Sequence, residues 1–334
     1  MKVLLLGATG LLGHNVFQRL TATGHQVVAV VRHRDAWLQE TSESMIVEGC
    51  IADGDTVLAA AEGCDAIVNC AGVTYMGLRR FEDYAKVNVM LCHTLVEAMN
   101  RHGIRILVHA STVNTIGYGT AAKPADEQEM VKAPFDKSHY VESKLHGEFA
   151  LRTAAQEHPN WHIVTVNPGY MLGPMDAKPS SGRMLVAGYR KRIMFAPKGG
   201  KAFVDVRDVA VTMVNALTMG RNGARYIVVS RSAQLSVKEL YEMQARVMGY
   251  CQRVVTVPDG LLLAAGAVGD GLRALGVRTE LSTANVRMLM VREYYDNRHA
   301  VSELSMPETD LAQSIRDFHR WREEHLTKQH IHKI

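Results

Sequence analysis

No apolar run in this chain approaches the roughly 20 residues that a membrane-spanning helix needs. The nearest, Leu261 to Val268, is soon broken by Asp270 and Arg273, so no membrane span is expected. Cysteine is sparse and unpatterned: Cys50, Cys64, Cys70, Cys92 and Cys251 are odd in number and form no C-x-x-C. That argues against a disulfide framework and a zinc ribbon, and for a reducing, cytoplasmic compartment. Excess charge is also thin, a formal +4 over 334 residues. A nucleic-acid partner would call for a denser basic face, and the cluster Tyr189-Arg190-Lys191-Arg192 is too short to supply one. Met1-Lys2 runs straight into an apolar segment, leaving no room for a signal peptide. No repeat or low-complexity stretch occurs. His325, His330 and His332 read as part of a solvated tail, so no metal site is expected.

What is present is an ordinary globular balance of 47% hydrophobic and 22% charged residues, enough for a sizeable core. The first half alternates short apolar runs with helical patterns, the rhythm of a parallel sheet with crossover helices. Strands are expected at Val3-Leu6, Val27-Val31, Ile46-Val47, Ala66-Cys70, Ile106-Val108 and Ile163-Val166. Helices are expected from Leu11 to Leu20, Thr56 to Ala61, Phe81 to Arg101 and Ser138 to Gln156. In the third of these, Val87, Leu91, Leu95 and Ala98 mark one apolar face. After Pro168 glycines and prolines crowd the chain. A helix then returns from Val206 to Met219, a strand at Tyr226-Val229, a helix from Leu235 to Met248, and a helix pair from Pro258 to Leu281. The fold class is α/β, a doubly wound parallel sheet with a small C-terminal substrate-binding lobe. The first domain comprises 1–168 plus 204–229, the lobe 169–203 plus 230–324, and the tail 325–334.

Gly7-Ala8-Thr9-Gly10-Leu11-Leu12-Gly13 follows the first strand and opens a helix. In that setting Gly7 permits a tight turn, Gly10 lets a pyrophosphate approach the backbone, and Gly13 lets helix and strand pack closely. The helix N-terminus offers free N–H groups to phosphates. A dinucleotide is the cofactor this arrangement suits, with Thr9, Leu11 and Leu12 completing the loop. The second strand selects the nucleotide. It ends in Arg32, with Arg34 nearby, where an NAD site usually places a carboxylate. A guanidinium can grip a 2′-phosphate, so NADP is expected, with NAD the alternative.

Tyr140-Val141-Glu142-Ser143-Lys144 places a phenol and an ammonium four residues apart, on one helix face. The ammonium, together with the positive nicotinamide ring of an oxidised cofactor, should lower the phenol pKa from its usual value of about 10. Tyr140 can then act as acid for carbonyl reduction or as base for alcohol oxidation. A hydroxyl at the end of the fifth strand, in His109-Ala110-Ser111-Thr112-Val113-Asn114, could stabilise developing charge on the substrate oxygen. His109 and His139 read as packed or surface histidines rather than proton shuttles.

The glycine spacing G-x-x-G-x-x-G, the Y-x-x-x-K pair and the Ser-Thr pair together resemble the extended short-chain dehydrogenase/reductases, the NAD-dependent epimerase/dehydratase superfamily, over roughly Met1 to Trp321. The resemblance implies a Rossmann fold. Counting back from Gly117, it implies Thr112, Tyr140 and Lys144 as the catalytic set. It implies that Asn69-Cys70-Ala71-Gly72 passes the adenosine half of the cofactor through Ala71 and Gly72. Asn88-Val89 is similar to the Asn-Val pair of the following helix. Lys144 would reach the nicotinamide ribose, and Asn167-Pro168-Gly169 the nicotinamide end. Phe203 to Ala210 is similar to the motif that returns the chain to the nucleotide lobe. Tyr294-Tyr295-Asp296-Asn297 is similar to a late segment of dihydroflavonol reductase-like members. Relatives often dimerise through a four-helix contact, which would use the helices starting at Phe81 and Ser138, so a homodimer is expected.

Two departures shape the reading. Gly49 is followed by Cys50-Ile51 rather than Asp, so Ile51 is left to pack on adenine, with Asp53 as a substitute carboxylate. Asn167 stands where nucleotide-sugar enzymes often have Arg. Both Arg32 and Asn167 favour an NADPH-dependent reductase of a ketone or aldehyde, dihydroflavonol reductase-like or 3β-hydroxysteroid dehydrogenase-like, over a nucleotide-sugar epimerase with tightly bound NAD. Val113-Asn114 replaces the Asp-Glu pair of the dehydratases. Retention of Tyr140 and Lys144 argues against a non-catalytic cofactor sensor. Met171, Met184 and Met194 are expected to line the substrate cleft, and the segment from Lys178 to Arg183 to lie in a substrate loop.

Overall fold

The computed structural model describes residues 1–34, 37, 46–177 and 180–331, with side chains to residue 325. Asp35, Lys178, Pro179 and His332, and the side chain of His330, fall outside the described set. The chain opens as β1 (Lys2–Leu6), α1 (Leu11–Ala22), β2 (Gln26–Val31), β3 (Ile46–Glu48), α2 (Gly54–Ala61) and β4 (Ala66–Asn69). It continues with α3 (Phe81–Asn88), α4 (Met90–His102), β5 (Ile106–Ala110), α5 (His139–Glu157) and β6 (His162–Pro168). Then come β7 (Tyr170–Leu172), α6 (Arg183–Gly188), β8 (Ile193–Ala196), β9 (Gly200–Asp205), α7 (Val206–Asn215) and β10 (Arg225–Val228). The chain closes with β11 (Gln234–Ser236), α8 (Val237–Val247), β12 (Arg253–Thr256), α9 (Asp259–Ala274), α10 (Thr283–Met290), α11 (Arg298–Leu304) and α12 (Leu311–Ile331).

The main sheet runs β10-β6-β5-β4-β1-β2-β3, with every pairing parallel. Alternate residues of β1 serve opposite faces. Val3 and Leu5 join the core under α1, α7 and α11, while Leu4 and Leu6 join the core under α2, α4 and α5. A strand buried on both sides reads as a continuous apolar run, which is why Val3-Leu6 carries no polar residue. This is the doubly wound α/β architecture expected.

Three expectations about the helices need correction. The helix from Phe81 to Arg101 is broken at Val89 (φ −109°, ψ −58°) into α3 and α4. At that junction α5 comes so close that a Cβ on Gly147 would lie 2.4 Å from the Asn88 carbonyl oxygen. The apolar face survives the break, with Leu91, Leu95 and Ala98 buried. The pair expected within Pro258 to Leu281 is one helix, α9, whose partner α10 starts beyond it. Gly269 makes that pairing possible, since a Cβ there would meet the Leu281 carbonyl oxygen at 2.2 Å. Finally, α12 continues to Ile331, so the tail expected after residue 324 begins as helix, and His325 stacks on Trp321 at 4.7 Å.

The smaller lobe holds a β11-β9-β7 sheet and the β12-β8 pair. Leu172, Leu185, Phe203, Leu240, Ile315 and Phe318 form its core. Met184 and Met194 are partly buried in this lobe, against the clusters of Phe203 and Tyr241, and Met171 is partly buried on the main core. Arg207, at the first turn of α7, ties the lobes by pairing with Asp205 and with Asp317 of α12, both at 2.7 Å. All five cysteines are free. Among the described residues, no helix is long and apolar enough to cross a membrane, and no cluster of metal-ligating side chains occurs.

Candidate active site

Strand order reverses between β1 and β4, so the loops leaving their carboxyl ends diverge and open a crevice. Open α/β sheets bind ligands at such a switch point. Gly7 follows β1 and Gly72 follows β4. Gly7 has φ +75°, and a Cβ on it would strike the Ala71 backbone nitrogen at 2.6 Å, so the two loops touch through glycine. Gly13 is tighter still, its Cβ position lying 2.1 Å from the Gly7 oxygen. Gly10 differs: a Cβ there would meet only the Gly7 oxygen, at 3.3 Å. Gly10 is the N-cap residue of α1, and no side chain caps that helix end. Leu11 and Leu12 are buried beneath the loop, and Thr9 is half-buried beside it. The first turn of α1 therefore presents uncapped N–H groups behind a residue with no side chain, a cradle that fits a pyrophosphate.

Arg32 lies just past β2, exposed and with no partner among the described residues. Arg34, by contrast, is engaged with Glu48 at 3.8 Å. Ile51 packs on the core cluster of β4 and α4. Asp53 accepts a hydrogen bond from the Thr56 hydroxyl at 2.6 Å, so its carboxylate is already partnered at the start of α2.

The side chain of Asn88 acts as a staple. Its Oδ1 accepts from Val73 N at 2.8 Å, and its Nδ2 donates to Val73 O at 3.1 Å and Ser143 Oγ at 2.9 Å. It thereby fixes the Ala71-Gly72-Val73 loop to α5. Ser143 in turn donates to the Tyr140 carbonyl at 2.7 Å. Lys144 is buried, and its Nζ donates to the Ala110 carbonyl at 2.7 Å. A Cβ on Gly72 would lie 3.7 Å from that Nζ. Tyr140 and Lys144 thus share the face of α5 turned toward the ends of β4 and β5.

The Thr112 hydroxyl accepts from Asn114 N at 3.3 Å and lies near enough to the Tyr140 phenol to lower its pKa. The Ser111 hydroxyl, by contrast, is buried without a hydrogen-bond partner among the described residues. Among the protein's own groups, burial dominates Tyr140 and pushes its pKa up to about 12, against the lowering effect of Thr112. The expectation that Lys144 lowers it is not met by the protein alone. Burial lowers the Lys144 pKa in turn. Pro168 ends β6, and Gly169 follows, its Cβ position only 2.2 Å from the Ala202 oxygen. His109 is fully buried against Asn69 at 3.1 Å, and burial holds its pKa well below the usual imidazole range. His139 is exposed and contacts Glu142. Both match their expected bland roles.

Sequence reasoning missed what lies behind Thr112. Asn167 is fully buried. Its Nδ2 donates to Thr112 O at 3.0 Å, Thr115 Oγ1 at 3.0 Å and Glu148 Oε1 at 2.8 Å. Glu148 also accepts from Thr115 Oγ1 at 2.7 Å and pairs with Arg225 of β10 at 3.3 Å. The signal was available: Glu148 repeats the four-residue step from Tyr140 to Lys144 and must face the same interior. Glu148→Gln keeps the volume but leaves Arg225 without its charge partner. It should lower unfolding free energy by roughly 3 kcal/mol, the scale of a broken buried pair. Urea denaturation would show this as an earlier midpoint at unchanged slope; a midpoint matching wild type would contradict it.

The arrangement is a nucleotide-binding crevice with a hydroxyl, a phenol and an ammonium at its edge, which defines a dinucleotide-dependent oxidoreductase. The sequence model of the NAD dependent epimerase/dehydratase family matches residues 3–230, and the chain belongs to that family. It is 29% identical over 329 residues to a Synechocystis protein named "Putative dihydroflavonol 4-reductase", covering 96% of this chain and 94% of that protein. Its structure superposes on the crystal structure of gox2253 with a TM-score of 0.81 at 24% identity, covering 97% and 98% of the two chains. It superposes on the UDP-glucose 4-epimerase of Thermus thermophilus in complex with NAD with a TM-score of 0.75 at 18% identity, covering 97% and 99%. The chain is therefore an NAD(P)-dependent oxidoreductase of the extended short-chain dehydrogenase/reductase type, using a nicotinamide dinucleotide.

Proposed function

We propose that the chain reduces a ketone or aldehyde to an alcohol using NADPH. The observation that carries this reading is the buried pair of Tyr140 and Lys144 on one face of α5, with Lys144 bonded to Ala110 at the end of β5, beside Thr112. The glycine loop from Gly7 to Gly13 would hold the pyrophosphate, with Thr9, Leu11 and Leu12 around it. Ile51, Ala71 and Gly72 would flank the adenosine half, with Asn88 fixing their loop. Asn167, Pro168 and Gly169 would bound the nicotinamide end, Asn167 through its hold on Thr112. When bound, the nicotinamide supplies the hydride. Thr112 orients the substrate oxygen, Tyr140 gives it a proton, and Lys144 reaches the nicotinamide ribose.

Arg32 supports NADPH over NADH, because a guanidinium at the end of β2, unpaired among the described residues, suits a 2′-phosphate. Fluorescence titration tests this. NADPH should bind more tightly than NADH, and Arg32→Glu should weaken NADPH by roughly tenfold to a hundredfold, the range for hydrogen bonds to a charged group. Preference for NADH, or protein that purifies with NAD⁺ bound, would move the reading to a nucleotide-sugar epimerase. A homodimer through α3, α4 and α5 fits the exposed Met90 and Phe149 on those helices. The retained Tyr140 and Lys144 weigh against a non-catalytic sensor.

A further inference from the structure

A cleft of about 860 Å³ opens between the loop that follows β4 and the segment that follows α9. Val73, the residue after Gly72, lines it and packs against the apolar cluster that holds Tyr140. One outer wall is the loop from Tyr75 to Arg80, and the other is the segment after α9 that includes Val277 and Arg278. Neither the strand rhythm nor the motifs of the nucleotide site account for this loop.

The loop is held firmly from both lobes. Arg273 of α9 donates to the carbonyls of Gly77 and Leu78 at 3.3 and 3.2 Å. Asn285 of α10 donates to the Met76 carbonyl at 3.1 Å, and Tyr84 to the Tyr75 carbonyl at 2.8 Å. These bonds fix the stretch of backbone that carries Arg79 and Arg80 at the cleft.

The charge there is unbalanced. Arg79, Arg80 and Arg278 line the cleft with a single acid, Asp83. Asp83 is paired with Arg80 at 3.2 Å. Arg79 and Arg278 have no hydrogen bond or ion pair among the described residues. Nearby arginines are committed, Arg183 to Glu280 and Arg273 to the two carbonyls just described. Two unspent guanidinia therefore stand on the two segments that line a cleft whose Val73 packs against the cluster of Tyr140.

We propose that this cleft selects carbonyl compounds that carry an anionic group, a carboxylate or a phosphate, held between Arg79 and Arg278. The apolar part of such a substrate would lie along Val73, Leu78 and Val277, its carbonyl toward Tyr140. A guanidinium suits either anion, because both present paired oxygens to its fork of donors. The proposal rests on the reductase reading for the placement of the carbonyl, but the anion preference can be measured without turnover.

The test is calorimetric binding of octanoate, octyl phosphate and octanol to the protein saturated with cofactor. At least one anion should bind about tenfold more tightly than octanol, a difference that shrinks with added salt as expected for partly exposed charges. The double variant Arg79→Gln/Arg278→Gln should erase that difference while leaving octanol binding and NADPH affinity unchanged, the latter also reporting a native fold. Loss for only one anion tells carboxylate from phosphate. Equal affinity for octanol and both anions, no measurable anion binding, or anion binding indifferent to the double substitution overturns the proposal. None of these outcomes depends on the activity of Tyr140→Phe, so the reductase reading can fail while the anion site stands, or the reverse.

Discussion

Tyr140→Phe should cut kcat by about 10²–10⁴-fold, the usual contribution of a positioned general acid, while NADPH affinity and Tm stay near wild type. The phenol is buried, and its ring packs among Tyr84, Phe135, Val141 and Met288. Phenylalanine fills the same space and loses only the hydroxyl, so the fold has little to lose. Steady-state kinetics with the best carbonyl substrate, set beside a cofactor titration, makes the check. Turnover near wild type would remove Tyr140 from the chemistry. The pKa direction adds a sign. With burial holding the phenol up at about 12, the proton-donating form persists through the neutral range. It is lost only as pH rises, so any decline in reduction assigned to Tyr140 belongs on the alkaline side.

Gly13→Ala should be strongly destabilising. Its Cβ would sit 2.1 Å from the Gly7 oxygen and 2.7 Å from the Ala8 Cα. Both are backbone atoms of a turn that is itself pressed against Ala71. Neither can swing aside as a side chain would, so α1 must be pushed off β1. A loss of about 2–3 kcal/mol, at the upper end of overpacking costs, is expected, together with weakened dinucleotide binding. Gly10→Ala is the control. Its Cβ would have 3.3 Å to the Gly7 oxygen and no other neighbour within 4 Å. Tm should hold, and only cofactor affinity should fall, because the methyl occupies the face offered to the pyrophosphate. Thermal melts and NADPH titrations on both variants separate the two roles. An unchanged Tm for Gly13→Ala, or an unchanged affinity for Gly10→Ala, would contradict this division.

The contrast between these glycines shows what a sequence can disclose. The loop from Gly7 to Gly13 and the step from Tyr140 to Lys144 are local, their spacing set by one turn or one helix face. They were legible before any fold was known, as was the alternation that builds the parallel sheet. The break at Val89 was not, because it lies where Gly147 comes in from another helix, a contact that local spacing cannot show. For the same reason Asn88 and Asn167 could be singled out as site residues without their work being visible. The one spends its amide on Val73 and Ser143, the other on Thr112, Thr115 and Glu148, partners supplied by distant strands and helices. Arg79 and Arg278 are the extreme case. Each alone is one more surface arginine, and only the docking of α9 and α10 against the main body sets them across one cleft.

The order in which the chain is used limits how this protein could be remodelled. The main sheet takes strands up to Pro168, surrenders the chain to the smaller sheet for β7 and β9, and reclaims it for β10. It then releases the chain again to β11, recovers it at α11, whose Ala300 and Leu304 sit in the main core, and finally yields α12 to the small lobe. A fragment ending at Pro168 would leave β6 an open edge where β10 belongs, an invitation to pair with other chains. Exchanging the small lobe for that of a relative would require rejoining the chain at every such crossing. New specificity is therefore far easier to reach by altering single residues along the cleft than by transplanting a module.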